Sequence, residues 1–340
     1  MCDYVQPLPR HESPRPDHAL PLAGGRAWFT EALRHRRGAA PERIGLEEIP
    51  EETRARLSAP RAPLYGMAMD RPRLMGIVNV TPDSFSDGGA HGTAQKAFLH
   101  AQDLICQGAD IIDIGGESTR PGAQAVPPEA EIARIEPVVS AVAGASEVPI
   151  SIDTRKVDVA HAAVRAGARM VNDVSGFTFD RMLAPYCARE GLPVCVMHAR
   201  GDPETMQENP RYDDVLLDVY DFLAAQVIML AEVGIPREKI IVDPGIGFGK
   251  TIKHNLALLN GIALFHSLGC PILLGASRKG FIGKLSGGVP PAERAPGSAA
   301  VSQWAASQGV QILRVHDVAE TAQALALWQA ITFNDAGGHA

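Results

Sequence analysis

From Arg73 onward, the chain repeats a short apolar run rich in Ile and Val, a polar stretch that often contains Gly, and a helical pattern. Short, continuously apolar runs are typical of parallel strands that are buried on both faces. The runs predict eight strands, at Leu74–Val80, Ile111–Gly115, Pro149–Asp153, Met170–Val174, Pro193–His198, Ile240–Asp243, Pro271–Gly275 and Gln311–His316. Helices are predicted between them at Ala94–Gln107, Glu129–Ala143, Lys156–Ala166, Val215–Glu232, Asn255–Ser267 and Gly297–Ser307, with a last helix at Val318–Phe333.

The regular alternation indicates an α/β protein whose strands form one parallel sheet. The repeats occupy residues 73–334, which is close to the size of a (β/α)₈ TIM barrel, typically about 250 residues. A doubly wound open sheet is the alternative. The regularity of the eight units and the lack of a dinucleotide-binding fingerprint favour a closed barrel. Residues 335–340 are read as a short tail.

Residues 1–72 have a different texture, rich in Pro and Arg with acidic residues between them. We predict a partly ordered N-terminal extension with a short helix at Ala27–Arg37 and a possible second one at Leu46–Leu57. The acidic residues argue against an organelle transit peptide. No motif in this segment indicates a function.

Composition narrows the classes of partner. The formal net charge of −7 argues against a general nucleic-acid binder, which needs a basic surface to neutralise phosphates. An anionic substrate would therefore need a local cationic pocket. No run approaches the roughly 20 apolar residues of a membrane span, and the N-terminus lacks the pattern of a secretory signal. Five scattered cysteines without a C-x-x-C pair fit a reducing compartment, so we expect a cytoplasmic protein.

Polar or charged residues stand at or just after the end of almost every predicted strand. In a TIM barrel the active site lies at the carboxyl ends of the strands and in the following loops. A single Asp there could be only a helix cap, but a full ring of such groups is costly to bury without partners, so it predicts a functional site. The groups are Asn79, Asp113, Asp153, Asn172, Asp173, His198, Asp243, Arg314 and His316, with Glu117 to Arg120 after strand 2 and Ser277 to Lys279 after strand 7.

Familiar motifs of other enzyme classes are missing. The segment 244–251 reads PGIGFGKT, so the first glycine of a phosphate-binding loop would fall on Pro244. Its glycines instead suit a tight backbone wall after strand 6. No His and Cys cluster has zinc spacing, and no nucleophilic serine elbow is present.

Seven stretches, in order along the chain, resemble the dihydropteroate synthase family. They are 75–89 (MGIVNVTPDSFSDGG), 113–122 (DIGGESTRPG), 151–154 (SIDT), 172–176 (NDVSG), 243–250 (DPGIGFGK), 277–283 (SRKGFIG) and 314–317 (RVHD). The resemblance implies a transferase of folate biosynthesis that condenses 6-hydroxymethyl-7,8-dihydropterin diphosphate with p-aminobenzoate. It also implies Mg²⁺ as cofactor and, as is common in the family, a homodimer.

The residue chemistry suits this reaction. A pterin presents an edge of N–H donors, for which buried carboxylates are natural acceptors. We therefore assign the pterin to Asp113, Asp153, Asn172 and Asp243, with Lys279 on its acceptor atoms and Met197 on its ring face. Arg120, Lys279, Arg314 and His316 are the expected catalytic residues.

The other substrate sites follow from the same resemblance. Arg120, Arg314 and His316 would hold the departing diphosphate together with Asn79, whose amide oxygen would also bind Mg²⁺. Thr119, Pro121, Phe248 and Ser277 would contact p-aminobenzoate, beside Lys279. A lid would carry Asp83, Phe85 and Asp87. Ala199 and Asp202 depart from the family pattern, which leaves the details of loop 5 open.

Two rival functions remain. A pterin-binding barrel that serves a corrinoid methyltransferase would share the strand-end Asp and Asn residues, but it would need neither Ser118 to Pro121 nor Ser277 to Gly280. A non-catalytic homologue that only binds pterin would lack the diphosphate and aminobenzoate residues. Both sets are present in the sequence, which favours the synthase.

Overall fold

A computed structural model describes residues 3–81, 89–118, 125–201 and 206–334, without the side chains of residues 89–91. Residues 3–72 form a small subdomain that precedes the barrel. Its strands β1 (Tyr4–Pro7), β4 (Glu31–His35) and β5 (Glu42–Gly45) make an antiparallel sheet in the order β1–β4–β5, while β2 (Leu20–Pro21) pairs with β3 (Trp28–Phe29). Helix α1 (Glu51–Ser58) follows. A core that includes Leu22, Phe29, Ile44, Ile49 and Leu57 holds these elements together.

The helix predicted at Ala27–Arg37 is wrong, because this segment supplies β3 and β4. Trp28, Phe29 and Ala32 are buried, and β4 pairs with β1 on one side and β5 on the other. These partners lie far away along the chain, and such tertiary pairing overrides a local helical pattern. The possible second helix is shorter than predicted and is divided into a 3₁₀ turn at Leu46–Glu48 and α1.

Eight parallel strands form the barrel. They are β6 (Arg73–Asn79), β7 (Ile111–Gly115), β8 (Ile150–Asp153), β9 (Met170–Asp173), β10 (Val194–Met197), β11 (Ile240–Asp243), β12 (Leu273–Leu274) and β13 (Ile312–Val315). The strand order is β11–β10–β9–β8–β7–β6–β13–β12, and a parallel bridge between Val242 and Ile272 joins the two ends. The prediction of a closed (β/α)₈ barrel is therefore confirmed, and the open-sheet alternative is excluded.

Helices surround the barrel. They are α2 (Gly89–Cys106), α3 (Pro128–Ala145), α4 (Val157–Ala166), α5 (Leu183–Arg189), α6 (Val215–Glu232), α7 (Ile252–Asn260), α8 (Gly280–Leu285), α9 (Ala295–Ser307) and α10 (Val318–Phe333). The single helix predicted at Asn255–Ser267 is divided into α7 and a 3₁₀ segment, Ile262–Leu268. Among the described helices, none combines the length and apolar composition needed to cross a bilayer.

The barrel interior changes character along its axis. Near the amino ends of the strands, the inward side chains are apolar. They pack with Leu64 and Met69 from the end of the extension, in a cluster with Met75, Ile111, Met170, Cys195, Ile241, Leu273 and Ile312. Successive side chains of a strand point to opposite faces, so the next inward positions are two residues further on. There the side chains are mostly polar, and this layer forms the floor of the site.

The extension also packs along the outside of the barrel. Tyr4 joins Leu217 of α6 and Leu264 of the 3₁₀ segment in a small apolar cluster, and its hydroxyl donates to Asp221 Oδ2 at 3.0 Å. Arg37 contacts Asp218 Oδ1 at 2.6 Å and Asp221 Oδ2 at 2.7 Å. Both aspartates lie in the first turns of α6, so the extension runs from the amino end of the barrel up to its carboxyl-end rim.

Candidate active site

Four inward polar side chains of β7, β8, β9 and β13 meet at the floor of the site. The Arg314 Nε donates to Asp113 Oδ2 at 2.6 Å, and its Nη2 donates to Asp153 Oδ2 at 2.7 Å. Asn172 Nδ2 donates to the same Asp113 oxygen at 3.1 Å. Three positions predicted to bind pterin and one predicted to bind diphosphate therefore form a single hydrogen-bonded group. Asp113 Oδ1 is buried and has no hydrogen-bond partner among the described residues, so an acceptor remains at the floor.

Burial controls the charges of this group. It raises the pKa of Asp153, although the Arg314 guanidinium acts in the opposite direction. Burial alone would lower the pKa of Arg314, but the carboxylates of Asp113 and Asp153 outweigh it and raise that pKa. Arg314 therefore remains a cation and compensates for the acidic floor. Two of the five N–H donors of the Arg314 guanidinium face these carboxylates, and the planar group can direct its other donors into the pocket.

Asp243 ends β11 and begins a glycine-rich wall. Its Oδ1 accepts from the Gly245 backbone N–H at 2.7 Å, and burial raises its pKa to about 6. Gly245 has φ +67°, and a Cβ there would lie 1.9 Å from the His198 carbonyl oxygen. Only glycine allows this approach of the wall to the end of β10, which agrees with the tight backbone predicted from the sequence.

Lys279 and Phe248 face each other on one side of the pocket. The Lys279 Nζ lies 4.0 Å from the centroid of the Phe248 ring, within the range of a cation–π contact. The Lys279 stem passes Gly247, where an added Cβ would come within 3.2 Å of Lys279 Cδ. The predicted pterin-binding lysine and the predicted aminobenzoate-binding phenylalanine are thus direct neighbours.

Ser277 and His316 are also brought together. The His316 backbone N–H donates to Ser277 Oγ at 3.1 Å, and His316 Nδ1 lies 3.0 Å from the same oxygen. Because the hydroxyl can donate to Nδ1, the arrangement favours the imidazole tautomer that carries its proton on Nε2. Behind them, the Arg278 Nε donates to Asp317 Oδ2 at 3.0 Å, which fixes the loop after β12 against the end of β13.

Met197 and Asn79 complete the described part of the predicted site. Met197 is buried at the end of β10, in register with Asp243. Asn79 is the last residue of β6 and is half-buried. Thr119, Arg120 and Pro121, the lid positions Asp83, Phe85 and Asp87, and Asp202 in loop 5 lie outside the described residues.

Asp173 and His198 serve local structure. Asp173 points away from the barrel axis, and its carboxylate accepts from the backbone N–H groups of Ser175 and Phe177 at 2.7 and 2.8 Å. It therefore caps a turn, as the alternative interpretation of a strand-end Asp allows. The His198 ring contacts the ammonium of Lys250, with 2.9 Å between Nδ1 and Nζ.

Sequence reasoning missed two buried ionic groups at the rim. Lys156 Nζ lies 3.1 Å from Glu117 Oε1 and 2.6 Å from Glu131 Oε2, and Arg155 Nε lies 3.1 Å from Glu117 Oε2. The other missed group is the contact between Lys250 and His198. Glu117 and Lys250 belong to stretches that carry the family resemblance, but the pairing of charges from separate loops cannot be read from one sequence.

The amide oxygen of Asn79 fits a magnesium ion that is also bound by a phosphate ligand. Within the described ranges, no three His, Cys, Asp or Glu side chains form a metal-binding group. Mg²⁺ commonly keeps several waters and binds through one or two protein oxygens together with substrate phosphates. One amide oxygen at the end of β6 is compatible with that mode.

Taken together, the pocket offers carboxylate acceptors and a cation at its floor, a lysine on one wall, and a buried methionine on β10. These groups can bind a flat, polar heterocycle along a donor edge. Arg314 at the floor and Lys279 on the wall are cations that can also hold an anionic group.

Comparison with known proteins agrees with this chemistry. A family model described as "Pterin binding enzyme" matches residues 75–316. The dihydropteroate synthase of Escherichia coli K12 is 48% identical over 262 residues, covering 77% of this chain and 92% of that protein.

Solved structures agree as well. The Xanthomonas albilineans dihydropteroate synthase with 4-aminobenzoic acid superposes with a TM-score of 0.74 at 46% identity, covering 78% of this chain and 94% of that one. The same enzyme in complex with 7,8-dihydropteroate gives a TM-score of 0.71 at 43% identity, covering 78% and 95%. The chain therefore belongs to the dihydropteroate synthase family of pterin binding enzymes.

Proposed function

We propose that this protein condenses 6-hydroxymethyl-7,8-dihydropterin diphosphate with p-aminobenzoate to give 7,8-dihydropteroate and diphosphate. The observation that carries the proposal is the convergence of Asp113, Asp153, Asn172 and Asp243 around Arg314, which bonds to the first two and flanks Gly275 together with Asp243. These are inward groups of four strands, in a family whose members bear the name of this reaction.

Pterin binding follows from the donors and acceptors of the floor. The carboxylates of Asp153 and Asp243 accept N–H groups of the pterin edge, and Asn172 can accept with its amide oxygen while its Nδ2 stays on Asp113. Lys279 donates to a pterin acceptor from the wall. Charge-assisted hydrogen bonds of this kind are stronger than neutral ones, so they fix the plane and direction of the ring, against which Met197 packs.

The reaction begins with loss of diphosphate. The bond between the pterin methylene carbon and the diphosphate oxygen breaks, and its electron pair leaves with the oxygen. Negative charge then grows on the leaving group, where fixed cations are most effective. Arg314, His316 and Arg120 take this role in the proposal. Arg314 is suited to it because it sits beside the pterin acceptors, already desolvated and held by two carboxylates.

The amine of p-aminobenzoate then attacks the methylene carbon. The new C–N bond uses the nitrogen lone pair, and the nitrogen loses one proton. Phe248, Ser277 and Lys279 would line one side of the aminobenzoate site, and Thr119 and Pro121 the other. The Ser277 contact with His316 would place this acceptor substrate next to the leaving group.

Magnesium enters the proposal as the partner of the diphosphate. Asn79 would supply an amide oxygen to it, and Mg²⁺, when bound, would neutralise part of the negative charge of the leaving group. Removing divalent cations with a chelator should therefore slow turnover, and adding Mg²⁺ should restore it.

The proposal includes a homodimer and a cytoplasmic location. Trp304 of α9 and Leu327 and Ile331 of α10 are 45%, 60% and 80% exposed, and such an apolar surface fits a second copy of the chain. Ile331→Asp should shift the protein to monomer in sedimentation, and an unchanged species would exclude this face. The cysteines that the structure describes are free thiols, which suits a reducing compartment.

Turnover tests the central reaction. Purified protein with both substrates and Mg²⁺ should release diphosphate and form dihydropteroate in equal amounts. Tight binding of the pterin without turnover would instead support a binding protein. Methyl transfer from methyltetrahydrofolate to a corrinoid would support the other rival.

A further inference from the structure

Lys250 is a buried lysine to which the proposed reaction gives no role. It lies just after the glycine wall and is 3% exposed. Its Nζ lies 2.9 Å from His198 Nδ1, 3.2 Å from the His198 carbonyl oxygen and 3.0 Å from the Phe248 carbonyl oxygen. One ammonium group thus joins the end of β10 to the loop that follows β11.

The contacts satisfy a group that is costly to bury. An ammonium has three N–H donors, and three acceptors surround it. Burial and the nearby Lys250 together lower the pKa of His198 to about 3, so the imidazole is neutral and its Nδ1 accepts. Burial also lowers the pKa of Lys250 to about 7, so the full set of three donors is present below that pH. A buried polar group that loses its partner is expensive, which makes this junction rigid as long as the lysine is present.

The junction lies directly behind the pterin wall. The Phe248 carbonyl accepts from Lys250, while the Phe248 ring lies under the Lys279 ammonium. Gly247, the residue before Phe248, contacts the stem of Lys279. The position of Phe248 therefore contributes to where the Lys279 ammonium lies. The wall backbone is also held at Gly247, whose N–H donates to Asn255 Oδ1 at 2.8 Å and whose carbonyl oxygen accepts from Gln207 Nε2 at 2.6 Å. Lys250 supplies the bond at the Phe248 carbonyl itself.

We propose that Lys250 is a positioning residue for the pterin site, which fixes Phe248 against His198 and so holds Lys279 at the wall. The proposal rests on the proposed function, because it assigns Lys279 to the pterin. Lys250 acts through Phe248 and need not touch the substrate.

Lys239 provides a matched control. It lies just before β11, as Lys250 lies after it, and its Nζ donates to the Gly191 carbonyl oxygen at 2.8 Å. Both lysines therefore connect the β10 unit to the β11 unit, one at each end of the barrel. Lys239→Met removes a lysine-to-carbonyl bond far from Phe248, so it should leave pterin binding unchanged.

The experiment measures equilibrium binding of 6-hydroxymethylpterin by fluorescence and the steady-state constants for both substrates. Lys250→Met should weaken pterin binding about tenfold and raise the pterin KM similarly, since misplacing Lys279 removes a charge-assisted hydrogen bond. kcat at saturating pterin should fall by less than about threefold, as expected when a binding interaction is lost. Pterin affinity equal to that of the wild type would overturn the proposal, as would an equal loss in Lys239→Met.

A double-mutant cycle tests the route through Phe248. If Lys250 acts through Phe248, Lys250→Met should add little to the loss of pterin affinity caused by Phe248→Leu. Full additivity would contradict the proposal. Lys250→Gln, which keeps an N–H donor, serves if the Met variant does not fold, and it should lose less affinity than Phe248→Leu. Because binding is read without turnover, an inactive wild-type protein would refute the proposed reaction while the Lys250 comparison still gave its answer.

Discussion

The two ends of the barrel are built by the same strands but differ in chemistry. At the amino end, inward residues such as Met75, Met170 and Ile312 pack with Leu64 and Met69 from the extension. Two residues further along β9 and β13, the inward positions are Asn172 and Arg314. The first layer gains stability by burying apolar surface, whereas the second buries charges that must compensate for one another. The carboxyl end, where the barrel interior is polar instead of apolar, is therefore the functional end.

Different parts of the extension contact the two ends of the barrel. Its last residues plug the amino end, so they belong to the stabilising layer. Arg37, by contrast, reaches α6 at the opposite rim. Asp218 Oδ2 accepts from the backbone N–H of Asp213 at 3.1 Å, where loop 5 returns to that helix. Removing the whole extension would therefore expose the amino-end layer, and it would also loosen this rim contact.

Arg314→Ala should have the largest effect, because it removes the cation at the floor. We expect kcat to fall by about 10²- to 10³-fold, the usual cost of losing one group that stabilises developing charge. A rapid-quench single-turnover measurement of diphosphate release would detect the change. An unchanged rate would show that Arg314 does not act in the chemical step. It would also contradict the functional distinction between the two ends of the barrel.

Met69→Ala should separate stability from function. It leaves a cavity in the plug at the amino end, which should lower the free energy of unfolding by about 2–4 kcal/mol. Chemical denaturation would measure this loss, and the KM values of the folded enzyme should stay unchanged. A raised pterin KM would mean that the two ends are coupled.

The pH dependence of pterin binding should reveal Asp243. Its pKa of about 6 means that the empty enzyme gains a proton on this carboxyl as the pH falls below that value. A protonated carboxyl is a poorer acceptor for the pterin edge, so affinity should drop by up to tenfold per pH unit below about pH 6. Titrations from pH 5 to 8 would show this, and Asp243→Asn should reduce the dependence to the part that comes from Asp153, whose pKa burial also raises. A flat profile for the wild type would exclude the assignment.

Arg37→Ala should have the smallest effect. Its side chain is 42% exposed, and exposed ion pairs usually contribute less than about 1 kcal/mol. Thermal denaturation at low and high salt would measure the loss, with Arg43→Ala, which removes the exposed pair with Glu31, as the control. If Arg37→Ala lowered the activity and the control did not, the extension would also contribute to the function of the carboxyl-end rim.

The barrel was predictable from the sequence because its signals are local. Each strand is a short apolar run between polar segments, and the observed bounds of β7 and β11 coincide with the predicted ones. The extension was not predictable in the same way, since β4 depends on partners in β1 and β5 that only the folded chain brings near. Its role as a plug depends on Leu64 and Met69 meeting residues spread over the barrel.

In the candidate site, too, the local features were predictable and the long-range contacts were not. The residue types at the strand ends predicted a polar pocket, and parity along each strand explains why Asn172 points inward while Asp173 does not. The partners were not predictable: the bonds of Arg314 to Asp113 and Asp153, or of Lys250 to His198, join residues that lie far apart in the chain. Such pairing follows from barrel closure, which places all strand ends on one ring.

The most direct test measures the dissociation constant of the pterin for the wild type, Asp243→Asn and Met69→Ala in one titration series. It asks whether pterin binding depends on the carboxyl end of the barrel and not on the amino end. Asp243→Asn should bind at least about tenfold more weakly, because a charged acceptor is lost. Met69→Ala should bind as tightly as the wild type despite its lower stability. Equal affinities for Asp243→Asn and the wild type, or a matching loss in Met69→Ala, would contradict a pterin site confined to the carboxyl end.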